Sequence, residues 1–230
     1  MLPPPASRTR LREISHLFLS EPDTRTAAPP PIVPVWMPAD AGYFALMGAL
    51  AYGLRMHGMS AAIAHSDPEL ADRDPRTHWP HGAHRFGSFE EMRAGITIAQ
   101  PGARVCLAPV PDGAHAMFGE SPLGILIVPE DGAQLTPAFQ ALKQIKGAGC
   151  RRVVALATVI GPRADRLNGD AAFARLAQHA RIYIGWQPGY IGAIRVGARL
   201  DESPNAADVF SVTANLAAEF TSLMQRSANT

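Results

Sequence analysis

The chain has 230 residues, 47% hydrophobic and 18% charged, which excludes a disordered chain and provides one sizeable core but not two. Its 21 basic and 20 acidic side chains leave a formal net charge of +1, so no global field draws nucleic acid or an anionic membrane, and only a local patch would serve. The two cysteines, Cys106 and Cys150, each lie in a run that reads as strand or strand edge and follow no metal-knuckle or disulfide spacing, which points to a reducing, cytoplasmic setting.

The first 22 residues lack the apolar run of about 7–15 residues that a secretory signal carries. Nowhere is the sequence apolar for long enough to span a bilayer. A soluble protein is expected, at most peripheral to the inner membrane. Residues 8–20 place Leu11, Ile14, Leu17 and Phe18 at helical spacing, and the proline-rich stretch EPDTRTAAPPPIVP that follows ends any helix. Residues 1–31 are therefore read as an amphipathic helix with a linker, and 32–230 as one α/β domain. A helix of this length is marginal unless it packs on something. It either folds back on its own domain or docks a partner, and the four apolar residues are its candidate partner-binding face.

From residue 32 the pattern alternates. An apolar run at 32–36 precedes a helical stretch at 43–57, and Met59 to Ala64 reads as a second strand. Residues 66–88, polar and rich in proline, glycine and histidine, read as a long surface loop before a short helix near 89–95. Strand signals return at Arg104 to Val110 and Gly124 to Val128. A helix near 134–147 stops at a Gly-Ala-Gly string, with glycine where helices end, and RRVVALATV follows as a strand. A helix near 170–180 precedes two short apolar runs, Ile182 to Trp186 and Tyr190 to Val196. The last helix, about 205–226, carries Val209, Val212, Leu216, Phe220 and Leu223 on one face. Its polar face has one basic residue, Arg226, so packing on the sheet is favoured over lying on a membrane. The alternation predicts a three-layer α/β fold: a mostly parallel, doubly wound sheet with helices on both faces.

The order of these elements resembles the MinD/ParA/FlhG-like group of deviant-Walker proteins over most of residues 32–226. The strings GILIVPEDGAQLTPAFQALKQIKGAGCRRVVALATVI and GYIGAIRVGARLDES carry the likeness best. The resemblance implies a P-loop NTPase-like fold. It also implies a phosphate loop, KGGxGKTT, between the first strand and the first helix, where this chain reads Pro38-Ala39-Asp40-Ala41-Gly42-Tyr43-Phe44-Ala45. Gly42 alone matches. Tyr43 stands where the phosphate lysine belongs, Phe44 where a hydroxyl would hold Mg²⁺, and Pro38 where the group's second lysine belongs.

Such loops work because glycines let backbone N–H groups converge on phosphate while a lysine neutralises it. Here Asp40 would repel a triphosphate. No shift of register repairs the loop, because no lysine occurs before Lys143. Asp112-Gly113, in RVCLAPVPDGAHAM, reads as a proline-initiated turn or as a remnant of the group's switch II aspartate region. Thr158, Val159 and Ile160 fill the place of its adenine-binding asparagine.

Other candidates are weaker. His78, His81 and His84 form H-x2-H-x2-H, a pattern that could hold zinc, but a loop lacks the fixed outer shell that metal sites need. Ser88, Ser121 and Ser211 lie in no nucleophile elbow. Trp79, Phe86, Phe89 and Met92 beside Arg73, Arg76 and Arg85 could stack nucleic acid, yet without a charge excess they read as the anchors of a loop.

The expectation is a pseudo-ATPase with a degenerate Walker A loop, binding no cofactor and no nucleic acid. It would serve as a scaffold or regulatory partner of a cytoplasmic or membrane-associated assembly of the polysaccharide-secretion, flagellar or positioning type. It would pair as a homo- or heterodimer, with an intact paralogue or a membrane-associated complex as protein partner. Two alternatives stand beside it. One is an ATPase binding ATP and Mg²⁺ at an atypical loop through Gly42, Asp112 and an arginine such as Arg163; the other is a small-ligand-binding α/β protein.

Overall fold

The computed structural model describes residues 29–38, 43–65, 84–110, 114–160, 165–196 and 204–228. Among them the chain runs β1 (Ile32–Trp36), α1 (Tyr43–Met56), β2 (Ala61–His65), β3 (His84–Arg85), α2 (Phe89–Ala99), β4 (Val105–Val110) and α3 (Ala116–Gly119). It continues through β5 (Gly124–Pro129), α4 (Gly132–Gly147), β6 (Val153–Ile160), α5 (Arg166–Tyr183), β7 (Gly189–Val196) and α6 (Ala206–Ala228). The seven strands form one sheet in the order β3-β2-β4-β1-β5-β6-β7, and every pair is parallel. The mostly parallel sheet expected from sequence is thus wholly parallel over the described strands.

The strands β1, β2, β4 and β5 are buried along their whole length. That is why they read as continuous apolar runs rather than alternations: a parallel sheet has helices on both faces. Side-chain alternation divides each strand between two cores. Val33, Val35 and Met37 of the β1 region join Leu46, Leu50 and Leu54 of α1 and Val212, Leu216 and Phe220 of α6. Ile32 and Trp36 join the opposite core with Met92 and Ile96 of α2, Ala138, Ala141, Leu142 and Ile145 of α4, and Ala172, Leu176 and Ala180 of α5. The apolar stripe of the last helix therefore faces the sheet, as expected, and no helix among the described residues is long and apolar enough to cross a membrane.

Two local readings need correction. The loop expected over 66–88 lies partly outside the described residues, but His84–Arg85 pairs in parallel with Ala64 and His65 as an edge strand. Two residues are too few to show a period. Of the two apolar runs expected after α5, only the second is a strand. Ile182 and Tyr183 instead belong to the last turn of α5 and are exposed. Of the residues expected to anchor that loop, Trp79 lies outside the described residues, Met92 is fully buried, and Phe86 and Phe89 pack against the core beside it.

The stop after α4 works as its glycines suggest. Gly149 has φ +90°, and the amides of Gly149 and Cys150 return to the carbonyls of Lys146 and Ile145, closing the helix with a left-handed residue. Gly169 serves a different need. A Cβ there would lie 2.8 Å from Ala193 Cβ, 2.9 Å from Val159 Cγ2 and 3.1 Å from Ala157 Cβ, so α5 rests on β6 and β7 at backbone distance. Alanine at a helix position ordinarily gains about 0.5–1 kcal/mol over glycine. Gly169→Ala is expected to lose about 1–2 kcal/mol instead, because two of the three obstructing atoms are Cβ atoms that cannot rotate away. Urea midpoints of the two proteins check the sign.

Candidate functional site at the carboxyl ends of the strands

The connection leaving β1 crosses to the α1 face, whereas those leaving its neighbours β4 and β5 lead to α3 and α4 on the opposite face. Chain segments that part in this way mark a topological switch point, and the crevice above such a point is the usual place for a ligand on a sheet of this kind. The strand ends are stepped. Trp36 closes β1 level with Val110 of β4 and Leu126 of β5, while β5 continues to Pro129 and β6 to Ile160. The end of β5 therefore reaches beyond the end of β1.

The floor is apolar. Trp36 is 1% exposed and Met37 8%, and Pro38 is half-buried. Tyr43 and Phe44 are the first two residues of α1, which puts Gly42 immediately before the helix. Asp40, Gly42, Asp112 and Gly113 lie outside the described residues, as do Leu11, Ile14, Leu17, Phe18, Arg163, His78 and His81. His84 is described: its Nε2 lies 2.9 Å from Gln100 Oε1, tying β3 to the end of α2. No group of three metal-ligating side chains occurs among the described residues. Thr158 on β6 is completely buried and shares the face of Val154 and Leu156 by strand alternation, so its side chain points into the core.

Two features of this edge escaped the sequence reading. The first is Glu130, just beyond β5. Its amide donates to Thr158 O at 2.9 Å, and its Oε1 accepts from the amide of Ile160 at 3.0 Å, so one residue joins the ends of β5 and β6. The second is a charged cluster at the end of β7. Asp208, in the first turn of α6, has a side chain only 3% exposed. Its Oδ2 accepts from Arg195 Nε at 2.7 Å and from the Arg195 amide at 3.1 Å, and its Oδ1 accepts from Arg195 Nη2 at 3.2 Å. Arg166 Nη1 stands 3.8 Å from Oδ1. Asn205 caps the helix by accepting from the Asp208 amide at 3.1 Å. Burial pushes the Asp208 carboxyl up, but the hydrogen bonds and charge of Arg195, with Arg166 behind them, outweigh it and hold the group below 3.8. The aspartate holds Arg195 protonated in turn. A sequence signal existed only for the cap, since Asn205 precedes an apolar-periodic run.

Among the described residues, the two arginines of this cluster and the two lysines lie away from the end of β1. Three strand spacings separate β1 from β7, about 14 Å, and both arginines there are directed at Asp208. Lys143 and Lys146 are the only lysines in the chain. Both lie toward the C-terminal end of α4, about 16 Å or more along the helix from its start at the crevice edge, and Lys146 Nζ donates to Ile184 O beyond α5.

The thiols offer no nucleophile in its place. Burial pushes Cys106 up to about 12 and raises Cys150 as well, so both remain protonated.

An all-parallel sheet with two helical layers and its switch point at β1 defines a P-loop NTPase-like α/β fold. No protein-family model matches the chain, and no curated protein matches its sequence. Among solved structures it is similar to the MinD cell division protein of Aquifex aeolicus, with TM-score 0.57 and 8% identity over 81% of this chain and 96% of that one. It is also similar to the MinC:MinD cell division protein complex of the same organism, with TM-score 0.53 and 10% identity over 81% and 95%. At such identities the likeness is one of fold.

Proposed function

We propose that this protein is a MinD/ParA-like pseudo-ATPase, acting as a non-catalytic scaffold or regulatory partner of a larger cytoplasmic or membrane-associated assembly. It works through protein contacts, as a homo- or heterodimer or beside an intact paralogue, and requires no nucleotide. The observation that carries this reading is the position of the lysines: the chain has two, and both belong to α4. The fold's usual anion site thus keeps helix N-terminal amides but has no lysine to complete it. By the sequence likeness, Asp40 would add a like charge beside any phosphate, and Tyr43 and Phe44 would supply neither an ammonium nor an aliphatic hydroxyl for magnesium.

Isothermal titration of the full chain with ATP and Mg²⁺ into the low millimolar range is expected to give no saturable heat, and product assays no turnover. Saturable, magnesium-dependent binding with hydrolysis would overturn the proposal in favour of an ATPase with an atypical loop.

A further inference from the structure

The opposite edge of the sheet, where the strands begin, carries an apolar groove of about 520 Å³. Pro29–Pro31, Leu123 just before β5, and Phe220, Leu223 and Met224 of α6 line it, with Arg104 as its one charged side chain. Leu223 and Met224 are half-buried against the core. A neighbouring hollow of about 510 Å³ shares the three prolines but is rimmed by Glu90, Arg93 and Glu120, so the first groove is the one suited to apolar side chains.

The chain leads directly into it. Pro29 to Pro31 form one wall and are also the end of the linker from residues 8–20, where Leu11, Ile14, Leu17 and Phe18 recur at helical spacing. We propose that these residues of the same chain fill the groove, so that the N-terminal segment is held intramolecularly at the pole of the domain remote from the β1 crevice. The reach is sufficient: residues 21–28 extend to about 26 Å, and the segment as a helix is about 20 Å long. A second copy would compete poorly, because a short tether gives an effective concentration in the millimolar range. A short amphipathic helix gains its stability from the surface it covers, and this groove is an apolar surface that adjoins the tether. The inference stands apart from the scaffold reading.

Limited trypsin digestion of the full chain tests it, with cleavage after Arg10 and Arg12 followed by mass spectrometry. Met224→Asp on the groove and Leu17→Asp on the segment are each expected to speed that cleavage about tenfold, the change in open population that about 1.4 kcal/mol produces, while the circular dichroism of the domain stays unchanged. Leu17→Asp lies outside the α/β domain and keeps the test decisive if Met224→Asp unfolds. Unchanged cleavage in both variants overturns the proposal. Acceleration by Leu17→Asp but not by a folded Met224→Asp does so too, because the segment then packs elsewhere. Protection that grows with protein concentration also overturns it, in favour of a second copy.

Discussion

Trp36→Ala is expected to lower the free energy of unfolding by about 3–5 kcal/mol, enough to unfold a marginal domain. The indole ends β1, is 1% exposed and belongs to the core formed with α2, α4 and α5. β1 is the central strand, paired on both sides, so neighbouring elements cannot collapse into the vacated space without breaking ladders. Urea denaturation followed by circular dichroism measures the loss. Trp36→Phe, which keeps an aromatic ring, is expected to retain more than half of the difference. A loss below about 1 kcal/mol for alanine would mean that the floor of the crevice repacks freely, contrary to the close packing of protein interiors.

Asp208→Ala is expected to cost about 2–3 kcal/mol, the range for hydrogen bonds to charged groups together with the desolvated donors left behind. Solvent moderates the figure, because Arg166 and Arg195 are 46% and 40% exposed and remain hydrated after the carboxylate is gone. The same group predicts a pH dependence. The folded state holds Asp208 below 3.8, its ordinary value, so its contribution is complete above that pH and disappears as pH falls through the depressed folded value. Between neutral pH and the acid side of 3.8, the wild-type urea midpoint is expected to fall more steeply than that of Asp208→Asn. Parallel profiles would remove Asp208 from the acid sensitivity of the fold.

The architecture was legible in the sequence because buried parallel strands and amphipathic helices write their environment into residue type. IVPVW and GILIVP are apolar throughout and VVALATVI is apolar but for Thr158, as strands covered on both faces are. Val209, Val212, Leu216 and Phe220 repeat at the helical period, and all four are buried. The edge strand His84–Arg85 and the end of α5 were not legible, because two residues carry no period and exposed Ile182 and Tyr183 imitate a buried run. For the candidate site the sequence offered only an expectation, resting on the family resemblance, that Asp40, Tyr43 and Phe44 stand in place of glycine, lysine and a hydroxyl residue. Glu130 and the Arg195–Asp208–Arg166 cluster were not, since their partners lie 13 to 42 residues apart and meet only at the strand ends.

By itself, then, the sequence determined the class of fold, the identity of the core faces and the lack of any lysine near the first strand-to-helix turn. These depend on residue type and short-range period, which no folding step can change. Only the tertiary structure decided the strand order, the stepped strand ends beside β1, the distance of Lys143 and Lys146 from them, and the apolar groove at the opposite pole. Each of those depends on which distant segments the two cores bring together, and that is a property of packing.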